Sequence, residues 1–160
     1  MHVIQTFLEW LQSTPLAVLV GEDWFPYVES THVVFLAVVA GTILTVDARL
    51  LGIASRQLRF TYLSEQLLPW TWAAFVGSAI TGSLMFIANA TTYASNTPFL
   101  IKMSLLGLAG INMLYFQLVT FRSVQSWDAG KPSTAARAAG LLSIVIWCSV
   151  IGFGRWVGFV

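Results

Sequence analysis

The sequence PYVESTHVVFLAVVAGTILTVD, residues 26–47, decides the fold class of this chain. It is apolar except for a few polar groups near its start and Asp47 at its end. A helix rises about 1.5 Å per residue, so a segment of this length crosses the roughly 30 Å hydrocarbon core of a bilayer. Similar apolar segments follow at residues 68–88, 99–121 and 138–159. The sequence therefore predicts an all-α integral membrane protein, with four transmembrane helices in a single domain.

The composition supports a lipid environment. Hydrophobic residues make up 57% of the 160 residues and charged residues only 9%, whereas soluble domains carry about 25% charged residues. A net charge of +1 excludes a nucleic-acid binder that works through a clustered basic face. Cys148 is the one cysteine, so the chain has no disulfide framework.

The first residues predict a short helix, residues 3–13, that lies in the membrane interface. Its apolar side chains recur at helical spacing, with polar residues between them, and it is too short to span a bilayer. Pro15 predicts the end of this helix, and residues 21–26 predict a polar and aromatic entry to the first span. The apolar positions are Val3, Ile4, Phe7, Leu8 and Leu11.

The basic residues predict the orientation of the chain. Six of the eight lie in the two loops that join the first span to the second and the third to the fourth. Under the positive-inside rule both loops face the cytoplasm and both termini lie outside. The six residues are Arg49, Arg56, Arg59, Arg122, Lys131 and Arg137.

Four ionisable residues form a predicted polar cluster near the outer face: Glu29, His32, Lys102 and Arg155. Ionisable groups inside a membrane are costly, so each is a candidate for function. One interpretation is a structural set of ion pairs that ties three helices together. The other is a site, open to the outer side, for an anionic group such as a carboxylate ligand or a haem propionate, or for a quinone head group held by His32.

A second polar set lies on the third span, at Asn112, Tyr115 and Gln117. Polar residues of this kind usually form hydrogen bonds between helices. Small residues predict close helix packing on the second and fourth spans, and they are Ala74, Ser78, Gly82, Gly154 and Gly158.

The chain offers little for metal or enzyme chemistry. It has two histidines, His2 and His32, and none of the common catalytic or phosphate-binding motifs. The sequence therefore predicts no metal site and no catalytic residues, and an enzyme is the least supported class of function.

Several sequence runs together resemble a family of small bacterial inner-membrane proteins classed as a domain of unknown function. They are residues 26–32 (PYVESTH), 46–52 (VDARLLG), 68–72 (LPWTW), 93–96, 99–103 and 154–159 (GRWVGF). The resemblance covers nearly the whole chain. It implies four spans and a bacterial source, and hence the inner membrane. Together with the orientation from the basic loops, this predicts that both termini lie in the periplasm. It implies no activity.

The chain departs from the family pattern at one position. In that pattern a histidine tends to follow the aromatic residue near the end of the third span, whereas Gln117 follows Phe116 here. If family members bind haem or metal through that histidine, this chain lacks the ligand.

Three functions remain open on the sequence. The first is a non-catalytic accessory subunit of a larger respiratory or photosynthetic membrane complex, which packs against lipids and other membrane subunits or copies of itself. The second is a redox protein that holds a single b-type haem or a quinone at His32. The third is a transporter or receptor for a small anion at the outer polar cluster.

Overall fold

The computed structural model describes residues 2–159, and over that range the protein is helical without strands. Four helices are long and apolar enough to cross a membrane, which confirms the all-α membrane fold. They are Pro15–Leu51, Phe60–Ala88, Thr97–Ser126 and Thr134–Phe159.

The N-terminal part consists of two short helices before the first long one. Helix α1 is His2–Gln12, and α2 is Pro15–Leu19. The Thr14 hydroxyl caps α2 by accepting from the Ala17 N–H, and Pro15 suits the first turn because its missing N–H has no helical partner. Helix α1 is tied to the rest of the chain by the Gln12 side chain, which accepts from the Thr91 hydroxyl at 2.9 Å.

The first span is longer than the sequence predicted. Helix α2 continues through a π-helical turn, Val20–Trp24, into α3, Phe25–Leu51, so the predicted entry at residues 21–26 is itself helical. The wide π turn comes directly before Pro26, which cannot donate a backbone hydrogen bond to the preceding turn. The far end of α3 stops at Gly52, whose φ of 71° is the left-handed cap that glycine adopts without strain.

The second span also begins earlier than the sequence predicted. Helix α4 is Phe60–Ala88, and Pro69 lies inside it instead of opening it. Its first turn is fixed from another loop, because the Asp128 carboxylate accepts from both the backbone N–H and the hydroxyl of Thr61, at 2.8 and 2.9 Å. This cap allows the helix to start before the apolar segment does.

The remaining elements complete the bundle. Helix α5, Ala90–Ser95, lies between the second and third spans, and α6 is Thr97–Tyr115. The third span continues beyond α6 through a π turn and a 3₁₀ turn, and α7 is Thr134–Trp156, capped by Ser133. The two turns after α6 are Phe116–Thr120 and Phe121–Ser126.

Helices α3 and α7 form the centre of the bundle. Helix α3 packs against α4 and α7, and α7 packs against α6, so α4 and α6 lie on opposite flanks. One buried cluster joins α3, α4 and α7 through Val39, Ala74 and Trp147. The loops 52–59 and 127–133 lie together and define the basic end of the bundle. The opposite end, with α1, α5 and the last turn of α7, is called the terminal end.

Three of the predicted small residues, all on α4, lie at the contact between α3 and α4. Ala74 and Ser78 are buried on α4, and Gly82 lies against the His32 ring of α3. Gly154 faces the Lys102 side chain, whereas no atom lies within 4 Å of the position that a Cβ at Gly158 would occupy. The stripe on α4 therefore supports the α3–α4 contact, while only Gly154 of the second pair has a neighbour.

Candidate functional site

A cavity of about 740 Å³ lies between the two flanking helices, α4 and α6, with α3 and α7 behind it. This volume lies within the range of about 300–1,000 Å³ that is typical of small-molecule sites. The wall is mainly apolar, and six aromatic rings contribute to it: Phe60, Trp72, Phe75, Phe116, Phe121 and Trp147. The composition of the wall suits an apolar ligand.

The cavity opens sideways, between α4 and α6. Glu65, Trp72, Met113 and Gln117 line it and are exposed on the outer surface of the bundle. These residues belong to helices of membrane-spanning length, so the exposed edge of the cavity lies on the side of the bundle.

Aromatic packing closes the cavity toward the basic end. Phe60 is buried and meets Phe116, Phe121 and Trp127 with ring centroids 5.7, 6.4 and 5.3 Å apart. Offset and edge-on aromatic contacts of this kind stabilise a packed cluster. The cluster separates the cavity from the loops below it.

Asp47 is the buried ionisable group of the cavity wall. Its side chain is only 5% exposed, and it lines the cavity. The Ser143 hydroxyl of α7 hydrogen-bonds to the carboxyl group, while the second oxygen, Oδ2, is enclosed and has no hydrogen-bond partner. A buried polar atom without a partner is costly in either protonation state, and such atoms are rare in native structures. The sequence placed Asp47 at the very end of the first span, but α3 continues past it to Leu51.

Polar groups other than Asp47 also line the cavity. The Asn112 amide donates to the Ala139 carbonyl at 3.1 Å, which links α6 to α7, and Asn112 also lines the cavity together with Ser64, Thr71 and Gln117. Tyr115, the third member of the predicted polar set, is 51% exposed and does not line the cavity. The structure therefore divides that set between the cavity and the lipid-facing surface.

Irregular helix geometry occurs beside the cavity on both flanks. Pro69 lines it from within α4 and has no N–H to donate to the carbonyl of Glu65, one turn earlier. On the other flank, the π turn Phe116–Thr120 follows α6 directly, and Phe116 and Gln117 line the cavity. Single π turns within helices are frequent at functional sites.

Beneath the cavity, Arg49 binds the two loops of the basic end together. Its guanidinium is 1% exposed and donates to the carbonyls of Leu58 and Asp128, at 2.8 and 2.9 Å. Asp128 in turn caps α4 through Thr61. Arg49 and Asp47 are two residues apart on the same helix, yet Arg49 makes several hydrogen bonds and the Oδ2 atom of Asp47 makes none.

The predicted polar cluster at the terminal end has a different character. The His32 ring on α3 packs on the backbone of α4, with Nδ1 3.0 Å from the Thr81 hydroxyl oxygen. The Thr81 hydroxyl also lies 2.8 Å from the Gly77 carbonyl, and when it donates to that carbonyl, His32 Nδ1 is the donor to Thr81. Lys102, whose ammonium group lies beside Gly154, is near enough to His32 to act on it electrostatically.

The two other members of the cluster lie apart from this pair. Glu29 is exposed and acts on Tyr93 of α5, where burial raises the pKa of the phenol and the Glu29 charge raises it further. Arg155 is exposed, and its guanidinium lies 5.2 Å from the centre of the Phe159 ring. The structure brings His32 and Lys102 together but gives neither Glu29 nor Arg155 a contact with them.

The surroundings of His32 do not fit a haem between α3 and α4. A methyl group at position 82 would lie 3.1 Å from the His32 ring carbon Cε1, so the two helices leave no gap for a flat macrocycle at this level. The haem hypothesis stays a prediction that this packing does not favour, and the quinone hypothesis stays a prediction.

The fold and the site thus define a four-helix membrane protein with a lateral cavity. The chain belongs to a family of unknown function, DUF6644, whose sequence profile matches residues 7–160. This confirms the resemblance that the sequence runs indicated. No curated protein and no solved structure matches the chain.

Proposed function

We propose that this protein binds a hydrophobic small molecule, which enters the cavity between α4 and α6 from the lipid. The observation that carries the proposal is the cavity of about 740 Å³ with the incompletely paired Asp47 in its wall. Packed protein interiors have few voids larger than a water molecule. A large cavity that also retains an unpaired polar atom therefore supports a binding site better than a structural one.

The wall combines a large apolar area with a few polar groups, as small-molecule sites do. Apolar and aromatic side chains supply most of its area, and a few polar groups, Asp47, Asn112 and Ser143, converge from three helices. Apolar surface provides affinity, and fixed polar groups provide orientation and specificity. The lateral opening supplies the route by which a lipid-soluble ligand arrives.

Gly110 provides a direct test of the cavity. It lines the cavity from α6, and no atom lies within 4 Å of the position that its Cβ would occupy, so the Gly110→Phe ring can enter the space without a backbone clash. Gly107 has equally open surroundings on the same helix but does not line the cavity. Gly107→Phe is therefore a matched control.

The readout is saturable binding of Nile red, a neutral lipophilic dye, to protein in nanodiscs of zwitterionic lipid, with empty nanodiscs subtracted. We expect saturable binding in the wild type and in Gly107→Phe, and at least a tenfold loss in Gly110→Phe. Equal binding in the two phenylalanine variants, or no saturable binding by folded wild-type protein, would refute the proposal.

A second candidate is the accessory subunit that the sequence predicted. None of the described residues of α6 is buried, unlike those of α3, α4 and α7. A long apolar helix without a buried residue supports a role in packing against a further membrane subunit. Gentle purification from the native membrane, followed by crosslinking from α6, tests it, and a stable monomer without any partner would count against it.

We infer that the basic end faces the cytoplasm and that both termini lie outside, in the periplasm of a bacterial inner membrane. Arg56, Arg59, Arg122, Lys131 and Arg137 are exposed at that end, as the positive-inside rule requires. Labelling with a membrane-impermeant maleimide tests the inference on single-cysteine variants at Ser126 and Glu22, in a Cys148→Ser background. Labelling of the Ser126 position in intact cells would overturn it.

A further inference from the structure

Resting on the proposed binding function, we infer that the ligand is a lipophilic cation, an amine or onium group on an apolar body. Two ionisable residues line the cavity among those that the structure describes, Asp47 and Glu65, and both are acids. Glu65 is exposed at the rim, whereas Asp47 is buried deep in the wall. The charge of the site is thus negative or neutral, and its walls are apolar.

The Asp47 carboxyl group lacks the partners that would stabilise its negative charge. A carboxylate in a low-dielectric interior is stabilised by an opposite charge or a full set of hydrogen bonds. Ser143 supplies one bond, and Oδ2 has no partner. The nearest buried base, Arg49, is committed to carbonyl groups of the loops. A cation in the cavity supplies the compensation, since the attraction between opposite charges extends several ångströms in a medium of low dielectric constant without direct contact with Oδ2.

The aromatic wall favours the same class of ligand. A cation within about 6 Å of an aromatic ring face is attracted by the ring quadrupole, and most strongly by tryptophan. Trp72 and Trp147 line the cavity from two different helices, α4 and α7, and four phenylalanines add to them. An anion is disfavoured in this cavity, because none of the described lining residues is basic and the carboxylate repels an anion.

Two ions of the same shape and opposite charge test the inference. Tetraphenylphosphonium is a cation and tetraphenylborate an anion, and neither donates hydrogen bonds. Binding is measured as the saturable, protein-dependent component in nanodiscs of zwitterionic lipid. We expect the wild type to bind the phosphonium at least tenfold more tightly than the borate.

Variants then assign the preference to Asp47. Asp47→Asn keeps the shape of the side chain and removes the charge, so we expect it to lose the tenfold preference for the phosphonium over the borate. Glu29→Gln is the matched control, since it removes an acid from the same helix outside the cavity and should keep the preference. A monodisperse elution profile and a wild-type thermal unfolding transition in detergent show that the Asp47→Asn protein is folded.

The outcomes separate the two proposals. If the wild type binds both ions equally, prefers the borate or binds Nile red alone, the cation inference fails and the binding function stands. If Asp47→Asn keeps the preference for the phosphonium, the assignment to Asp47 fails. If neither ion nor dye binds, both fail.

A crosslinking test addresses whether a second copy of the chain fills the cavity. A disulfide-linked dimer of the Gly110→Cys, Cys148→Ser variant, together with no ion binding, would show that it does and would overturn the cation inference.

Discussion

The two polar regions inside this membrane protein differ in what packing does to them. At the terminal end, His32 lies against α4 and bonds to Thr81, and it does not line the cavity. Near the basic end, Asp47 is more deeply buried, yet one of its oxygens has no partner and a large cavity lies beside it. The comparison teaches that an ionisable residue in a span indicates function most strongly when it is buried, unpaired and next to open space.

The largest expected effect tests whether Arg49 stabilises the two loops at the basic end of the bundle. Arg49→Met removes the donors that hold the carbonyls of Leu58 and Asp128. Hydrogen bonds to charged groups contribute about 1.5–3 kcal/mol each, so we expect the free energy of unfolding to fall by about 3 kcal/mol. Thermal unfolding in detergent measures it, with the exposed Arg137→Met as control. Equal stability of the two variants would show that the loops are not held by Arg49.

The second expected effect is a gain in stability, and it tests whether Asp47 differs from His32. Asp47→Leu replaces an incompletely paired carboxyl with an apolar side chain of similar size. Removing a buried unsatisfied group relieves a cost of about 1–3 kcal/mol, so we expect the free energy of unfolding to rise by about that amount while phosphonium binding is lost. Denaturant unfolding measures the change. A destabilised Asp47→Leu protein would mean that Asp47 is a structural group, as His32 is.

A smaller effect is expected where the terminal end is well paired. Thr81→Val removes the acceptor of the His32 Nδ1–H. Hydrogen bonds between membrane helices average about 0.6 kcal/mol, so we expect a loss of about that size. Thr31→Val is the control, because the Thr31 hydroxyl bonds only within its own helix, to the Tyr27 carbonyl. A gain in stability from Thr81→Val would place His32 in the same class as Asp47.

The smallest effect concerns the ion pairs that one interpretation of the sequence required. Arg155 is exposed and contacts the Phe159 ring. We expect Arg155→Met to change the free energy of unfolding by less than about 0.5 kcal/mol, as exposed substitutions usually do. Unfolding of Glu29→Gln is expected to match it. A loss of several kcal/mol in either variant would restore the ion-pair interpretation.

Local features of the sequence were enough for the four spans and the α-helical class, because length and hydrophobicity are properties of each segment alone. Helix limits were less predictable. Pro69 reads as the start of a helix, but Asp128, from a distant loop, caps α4 at Thr61 and moves the start to Phe60. The helical path through residues 21–26 likewise depends on a π turn that composition does not encode.

The candidate site was decided by tertiary structure. The sequence predicted that Glu29, His32, Lys102 and Arg155 were of interest, since a charge in a span is visible in any hydropathy pattern. It gave no reason to prefer Asp47, which lies at a span boundary where charges are ordinary. Whether a polar group is paired depends on which helices pack together, and here α4 and α6 flank α3 and α7 with a cavity between them. Segment hydrophobicity is local and so can be predicted from sequence, whereas the space left between helices is a property of non-local packing, which only the folded bundle determines.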